Sequence, residues 1–436
     1  IPLPEVDRIA KLIPGGPDVT LYDTVQKNPD MAKAAGDPRI KKLLDLAVKL
    51  EGLKRHAGIH AAGTVITKEP VVRYSPLAKG RGDVVTTQYD GETLPWLGLL
   101  KVDFLGLRTL TILQSAVAFI RQRKDTLFDL EKIPMDDAKT YELLRRGESL
   151  AVFQLDSSGM RTLLSQLKPT IFNDIVAILA LYRPGPIQAG MIDRFVECKH
   201  GRQKITYEHP MLESALKDTY GCIVFQEQVM EISKALAGFT GGQADTLRKA
   251  MGKKTPEDFE KMRPTFVAGA TKNKIPAKLA DKIYDNLLKF GGYGFNRSHT
   301  AAYGMLAYQT AYLKTNHTLE FMCAVATSEI GHSAVGADDK ENKLVVYLED
   351  ARRMGLKILP PDAQRSQTEF SIEDPGGIRF GLVAVKNVGT GAAEAIVAAR
   401  SAGGPFKSLA DFCGRVDLKA ANKKAVESLI KAGALD

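Results

Sequence analysis

The sequence predicts an α+β fold that is mostly helix. Three observations carry that expectation. From Thr109 to about residue 325 the apolar residues recur with a helical period, interrupted at Pro169 and at Arg183-Pro-Gly-Pro186. Between residues 63 and 104 the texture is different, with short β-prone stretches at 63–67, 84–89 and 97–104 separated by Gly, Pro and Asp. After residue 343 the order becomes helix, short strands, then helix again.

Taken in order, residues 1–56 read as helical, with Leu43, Leu44, Leu46, Ala47 and Leu50 at i, i+3, i+4 and i+7 spacing. The three β-prone stretches that follow suggest one small sheet. Pro184 pushes Arg183 out of the helical region, so a helix ends there in a stiff turn. Residues 331–342 have the Gly, Ser and Asp content of a connector. Residues 343–354 form a helix, 369–373 and 378–383 are β-like, and the last sixty residues are helical. There is no internal repeat of solenoid length. The chain opens on Ile1 within a helical pattern (Val6-Asp-Arg-Ile-Ala-Lys-Leu-Ile13), which reads as a piece of something longer.

Composition bounds the function. The chain has 436 residues, 44% hydrophobic and 25% charged, which is enough for several globular domains. Of the formal charge of +9, most falls in residues 240–300, where twelve Lys/Arg face six Asp/Glu. Such a local excess is the footprint of nucleic-acid or phosphate binding; a solvated helix surface is the plainer reading. Four scattered cysteines give no disulfide framework, so a reducing, cytoplasmic setting is expected. No apolar run reaches membrane-spanning length, and no membrane partner is expected.

The stretch Phe290-Gly-Gly-Tyr-Gly-Phe-Asn-Arg-Ser-His-Thr-Ala-Ala302 carries the most chemistry. Gly291, Gly292, Gly294 and Asn296 permit tight turns and close approach to a ligand. Tyr293 and Phe295 offer faces for stacking, and Arg297 with His299 offers donors to phosphate or sugar oxygens. Some forty residues earlier, Leu247-Arg-Lys-Ala-Met-Gly-Lys-Lys254 holds four cations in eight residues. Together they describe a site for a polyanion with a flat organic head.

Lys101 and Asp103 lie two apart in a predicted strand and so share a face. That arrangement can hold a metal ion beside a charge-neutralising cation in phosphoryl transfer, or it can be a surface ion pair. The turn at Arg183 either presents Tyr182 and Arg183 to a ligand or only joins two helices. Lys386-Asn-Val-Gly-Thr-Gly-Ala392 has the Gly-x-Gly pattern of a helix-hairpin-helix, with Gly389 and Gly391 letting backbone N–H groups approach DNA phosphates. Gly252-Lys-Lys-Thr255 is not a P-loop, because Leu247 stands where the first Gly belongs. Cys198, His200, His209 and Cys222 lack zinc-ligand spacing. His56 and His60 sit among glycines, where phosphate contact or turn stabilisation is expected.

In this order the motifs resemble the C-family replicative DNA polymerases, the alpha subunits of bacterial DNA polymerase III. The matching segments are His56-Ala-Gly-Ile-His-Ala-Ala-Gly63, the Lys101/Asp103 strand, Val152-Phe-Gln-Leu155, Tyr182-Arg-Pro-Gly-Pro186, Phe225-Gln-Glu-Gln-Val-Met230, residues 247–254 and residues 290–303. The resemblance implies the end of a helical thumb at 1–57, half of a nucleotidyltransferase palm at 58–108, helical fingers at 109–330 and a helix-hairpin-helix region at 331–436. It implies template-directed DNA synthesis, with Asp103 as a catalytic, metal-binding carboxylate and Lys101 as a triphosphate contact. Arg183, Arg248, Lys249, Tyr293, Arg297 and His299 fall at nucleotide-binding positions, and Lys253, Lys254, Lys386, Gly389 and Gly391 at DNA-binding ones. The family often has Arg where Lys249 stands.

The implied cofactor is a pair of Mg²⁺ ions. The implied partners are primer-template DNA and dNTP, together with a sliding clamp, a proofreading exonuclease subunit and a clamp loader. The family's Pro-Asp-x-Asp-x-Asp motif is not found here, so two of three expected carboxylates are missing and the chain alone is expected to be inactive. Two alternatives stay open: an error-prone, damage-bypass member of the same family, and a non-catalytic DNA-binding module.

Overall fold

In the computed structural model, residues 1–14, 19–54, 56–252, 256–291, 293–332 and 342–436 are described. The chain divides into two units, residues 1–106 and 107–436. Lys253, Lys254, Gly292 and most of the expected 331–342 connector lie outside the described residues.

The first unit opens with α1 (Leu3–Ala10), α2 (Leu21–Lys27), α3 (Pro29–Ala34) and α4 (Pro38–Leu50). Their starts are chemically marked. Thr20, Asn28 and Asp37 each accept a backbone N–H from the first turn of the helix that follows. Ile9, Met31, Ile40 and Leu44 form a small core. Leu46 and Leu50, predicted to share the apolar stripe of α4, are exposed instead. Periodicity defines a helix face, but whether that face is covered depends on neighbours.

The expected single sheet is two separate ones. β1 (Gly63–Ile66) pairs antiparallel with β4 (Leu100–Asp103), in register Gly63 to Asp103 and Val65 to Lys101. β2 (Leu77–Lys79) pairs antiparallel with β3 (Val85–Thr87). The β-prone run at 97–104 loses its first residues because Leu94–Leu97 winds into a 3₁₀ turn that Gly98 ends at φ +71°. A strand can begin only after that left-handed residue.

The second unit begins with α5 (Arg108–Arg123), α6 (Ala138–Arg145), α7 (Ser158–Leu167) and α8 (Phe172–Leu181). Arg183 is extended, as Pro184 requires, but Pro184 then opens a short helix, α9 (Pro184–Gln188), where a plain turn was expected. α10 (Met191–Lys199), α11 (Glu213–Leu216) and α12 (Gln226–Ala237) follow, then α13 (Gly241–Gly252), α14 (Pro256–Lys272), α15 (Ala277–Gly291), α16 (Arg297–Asn316) and α17 (Thr318–Ser328). One apolar core joins α6–α8 and α10 to the middle of α16 through Tyr308 and Ala311. A second joins α11–α15 around Phe259, Phe266 and Tyr284.

α18 (Lys343–Arg353) leads to a three-stranded sheet of β5 (Lys357–Leu359), β6 (Ser371–Glu373) and β7 (Gly377–Arg379), in order β5-β7-β6. α19 (Thr390–Gly403), α20 (Leu409–Arg415) and α21 (Lys423–Lys431) close the chain around their own core. No helix among the described residues is long and apolar enough to cross a membrane.

Candidate nucleotide and nucleic-acid interface

The glycine-aromatic loop is held in place from three directions. Gln226 donates its backbone N–H to the Phe295 carbonyl at 2.9 Å, and Phe225 and Phe295 form an isolated parallel bridge. Both Glu227 carboxylate oxygens accept the Arg297 N–H, at 2.9 and 3.0 Å. Asn296 caps α16 by accepting the His299 N–H at 2.8 Å. The segment Phe225-Gln-Glu-Gln is therefore a brace. Its second glutamine, Gln228, is buried and fully engaged, accepting from Val224 and Phe225 and donating to Ala215 and Thr219.

Arg183 supplies the third hold. Its guanidinium donates to the Tyr293 carbonyl at 2.6 Å, its Nε to the Ala180 carbonyl at 2.8 Å, and it lies 4.3 Å from the Phe295 ring centroid. Burial pulls its pKa below the ordinary guanidinium value. Gly185 packs directly under the Tyr293 ring, which a Cβ at that position would strike. The turn at Arg183 joins two helices, and its guanidinium, bonded to the Ala180 and Tyr293 carbonyls, fixes the loop that bears Tyr293. Tyr293 and His299 are exposed. The Arg297 guanidinium faces the Asp218 carboxylate at 3.7 Å and the Phe225 ring at 5.6 Å.

On α13, Arg248 and Lys249 converge on one carboxylate. Arg248 reaches Asp245 Oδ1 at 2.9 Å, and Lys249 Nζ reaches Oδ2 at 2.9 Å. These hydrogen bonds, that of Lys249 first, hold the Asp245 carboxyl below its usual pKa. Spacings of three and four residues put all three side chains on one helix face. Asp245 was not anticipated from the sequence. Only its position relative to the cations could have pointed to it.

In the first unit, Lys101 and Asp103 do share a strand face, with Lys101 Nζ 3.1 Å from Asp103 Oδ1. Across the β1–β4 pair stands Gly63, where a Cβ would lie 3.2 Å from Asp103 Oδ1 and 2.9 Å from His60 Nδ1. His60 Nδ1 accepts the Ala62 and Gly63 N–H groups at 3.2 and 2.7 Å, which fulfils the turn-stabilising expectation. That lone pair is spent, so the 3.8 Å approach of Nδ1 to Asp103 is not a hydrogen bond. A Mg²⁺ site needs several oxygen ligands. Among the described residues no three His, Cys, Asp or Glu come together to supply a metal, so Asp103 is at most a partial ligand set.

The hairpin differs from expectation on its first side. Leu382–Ala384 is a single 3₁₀ turn, not a full helix. Asn387 then takes φ +67°, and Gly389 caps α19 with no side chain to satisfy the N–H groups of Thr390, Gly391 and Ala392. Lys386 is exposed beside them. A Cβ at Gly389 or Gly391 meets nothing within 4 Å, so a side chain can start from either position without a clash. Leucine at both positions is expected to weaken binding to DNA of any sequence about tenfold, with a shallower salt dependence. Electrophoretic shifts on unrelated duplexes would show it. Loss confined to particular sequences would contradict a backbone-only contact.

These residues, some in each of the two units, are the candidates for contact with nucleotides and nucleic acid. Three family models match. Bacterial DNA polymerase III alpha NTPase domain covers residues 1–106, Bacterial DNA polymerase III alpha subunit finger domain covers 109–274, and Helix-hairpin-helix motif covers 355–436. The chain is 45% identical to DNA polymerase III subunit alpha of Escherichia coli K12, 46% to that of Haemophilus influenzae and 45% to that of Thermus aquaticus. These alignments cover 99%, 99% and 100% of this chain but only 37%, 37% and 36% of the relatives. The chain belongs to the family of bacterial DNA polymerase III alpha subunits.

Proposed function

We propose that this chain forms part of a template-directed DNA polymerase that transfers a nucleotidyl group from dNTP to a primer 3′-hydroxyl and releases pyrophosphate. Residues 1–57 would be thumb, 58–108 part of the palm, 109–330 fingers, and 331–436 the hairpin region that grips duplex phosphates. The observation that carries this reading is the cation pair on α13. Arg248 and Lys249 share one partly exposed carboxylate, an arrangement a triphosphate can take over. There they would offset the charge that gathers on the leaving pyrophosphate. Tyr293, Arg297 and His299 would receive the base and sugar, on a loop that Arg183 holds. Lys253 and Lys254 would add DNA contacts.

In the complete protein two Mg²⁺ ions would supply the electrostatic stabilisation of nucleotidyl transfer. Asp103 would be one ligand among several carboxylates, none of which is grouped with it among the described residues, and Lys101 would contact phosphate beside it. Primer-template DNA is the partner that this reading requires. Clamp, exonuclease and clamp-loader contacts, and a cytoplasmic setting, follow from the resemblance alone.

Arg248→Ala in the full-length polymerase is the test. The Michaelis constant for dNTP should rise about tenfold or more and single-turnover chemistry should slow, with DNA affinity little changed. Weakened DNA binding with unaltered nucleotide kinetics would make α13 a duplex-binding surface and overturn the assignment.

A further inference from the structure

Five side chains form an unbroken run along one side of α16. Arg183 lies over Phe295 at 4.3 Å; Phe295 meets His299 at 5.4 Å, His299 meets Tyr303 at 4.3 Å, and Tyr303 meets Phe153 at 5.2 Å. His299 and Tyr303 lie one turn apart on α16, about 6 Å along its axis, and Phe295, two residues before that helix, meets His299 edge-on. The loop end of this run belongs to the nucleotide site proposed above. Tyr303 and Phe153 lie beyond it.

Three observations set those two rings apart from ordinary packing. Among the described residues, neither Phe153 nor Tyr303 is part of a hydrophobic core, and both are half-buried with surface open to solvent. Phe153 sits between Ala151 at φ +61° and Gln154 at φ +59°, left-handed conformations that cost non-glycine residues free energy. The segment is pinned in that shape: Thr310 Oγ1 accepts the Phe153 N–H at 3.1 Å, and Lys314 Nζ donates to the Glu148 and Leu150 carbonyls at 2.8 Å each. Beside Phe153 opens a cleft of about 110 Å³ whose walls include Thr109, Gln154 and Lys343 as donors, with Arg108 there bonded to Glu329 and the Ser328 carbonyl. The acids on its walls are engaged, Asp156 by Tyr347 and Glu329 by Arg108.

We infer that the Tyr303–Phe153 end of this run is a stacking platform for unpaired bases of a single DNA strand, continuing past the nucleotide site along the template. Strained backbone that holds a half-buried ring in contact with others suits base stacking, which is tolerant of sequence because every base has a π-face. Donors along the neighbouring cleft suit phosphates and base edges. The inference rests on the polymerase reading, since it names the strand that would lie there.

The experiment compares binding of the 436-residue chain to short single-stranded oligo(dA) and to an abasic oligonucleotide of equal length and charge, by fluorescence anisotropy. Stacking predicts at least about fivefold tighter binding of the strand that carries bases. Tyr303→Leu and Phe153→Leu should shrink that ratio toward one without changing the salt slope, and Tyr303→Phe should preserve it. Equal binding of the two strands by the unaltered chain overturns the platform and leaves the polymerase reading to its own test at Arg248. A ratio that survives both leucine variants, with only thermal stability reduced, also overturns it, because the rings then merely pack. Failure to bind either strand likewise overturns the platform and leaves the polymerase reading to Arg248.

Discussion

Asp103→Asn in the complete polymerase is expected to lower the maximal rate at least about a hundredfold while leaving DNA affinity nearly unchanged. The two readings of the Lys101/Asp103 pair diverge widely here. As an ion pair it is a surface contact, with side chains 30% and 39% exposed. Such a pair contributes at most about 1 kcal/mol to stability and nothing to chemistry. As a metal ligand, Asp103 supplies a formal negative charge that asparagine cannot, in nearly the same shape. His60 does not donate to its Oδ1, so the cation facing that oxygen is Lys101, at 3.1 Å. Steady-state turnover with saturating dNTP and primer-template decides the matter. A near-normal rate would leave only the ion pair.

Lys314→Met is expected to be the most damaging single change to stability. Lys314 and Asp350 are both fully buried and lie 2.6 Å apart. The ammonium also donates to two carbonyls of the 148–150 segment, so all three of its protons are used. Burial pushes its pKa below the ordinary lysine value, with Asp350 opposing that shift. Removing the cation leaves two part-buried carbonyls without that donor and weakens the pairing of a buried carboxylate, which costs about 3–5 kcal/mol in comparable cases. Arg353 still reaches Asp350 at 2.7 Å, so the lower end, about 3 kcal/mol, is expected. Urea denaturation with an unchanged m-value would measure it. A loss under about 1 kcal/mol would mean that Arg353 alone satisfies the acid.

The helical bulk was legible because long amphipathic periods leave few alternatives, and Pro184 marked a real break. At 290–302 composition marked a real break between α15 and α16, but Arg297 and His299, read as part of one loop, lie in the first turn of α16, which Asn296 caps. What holds that loop was not legible. Glu227 and Gln226 act on it from some seventy residues away and Arg183 from 110. Local pattern contains no sign of such contacts. The two small sheets were read as one for a related reason: strand propensity does not say which strand pairs with which. Counting charges in residues 240–300 also overstated the open cation. Arg263 is engaged by Glu260, Asp281 and Asp285, and Arg248 and Lys249 by Asp245.

Glu227 gives the loop a polarity. A helix start ordinarily invites anions, but at α16 the leading N–H already faces a carboxylate and the next cap is filled by Asn296. A phosphate settling there would meet like charge and find few free donors. A ribose or a nucleobase carries no such penalty. On the reading proposed above, the two ends of a nucleotide would therefore be sorted by sign, its uncharged head toward Tyr293 and His299 and its anionic tail toward cations elsewhere. An acidic residue inside a basic region can in this way act as a signpost for orientation.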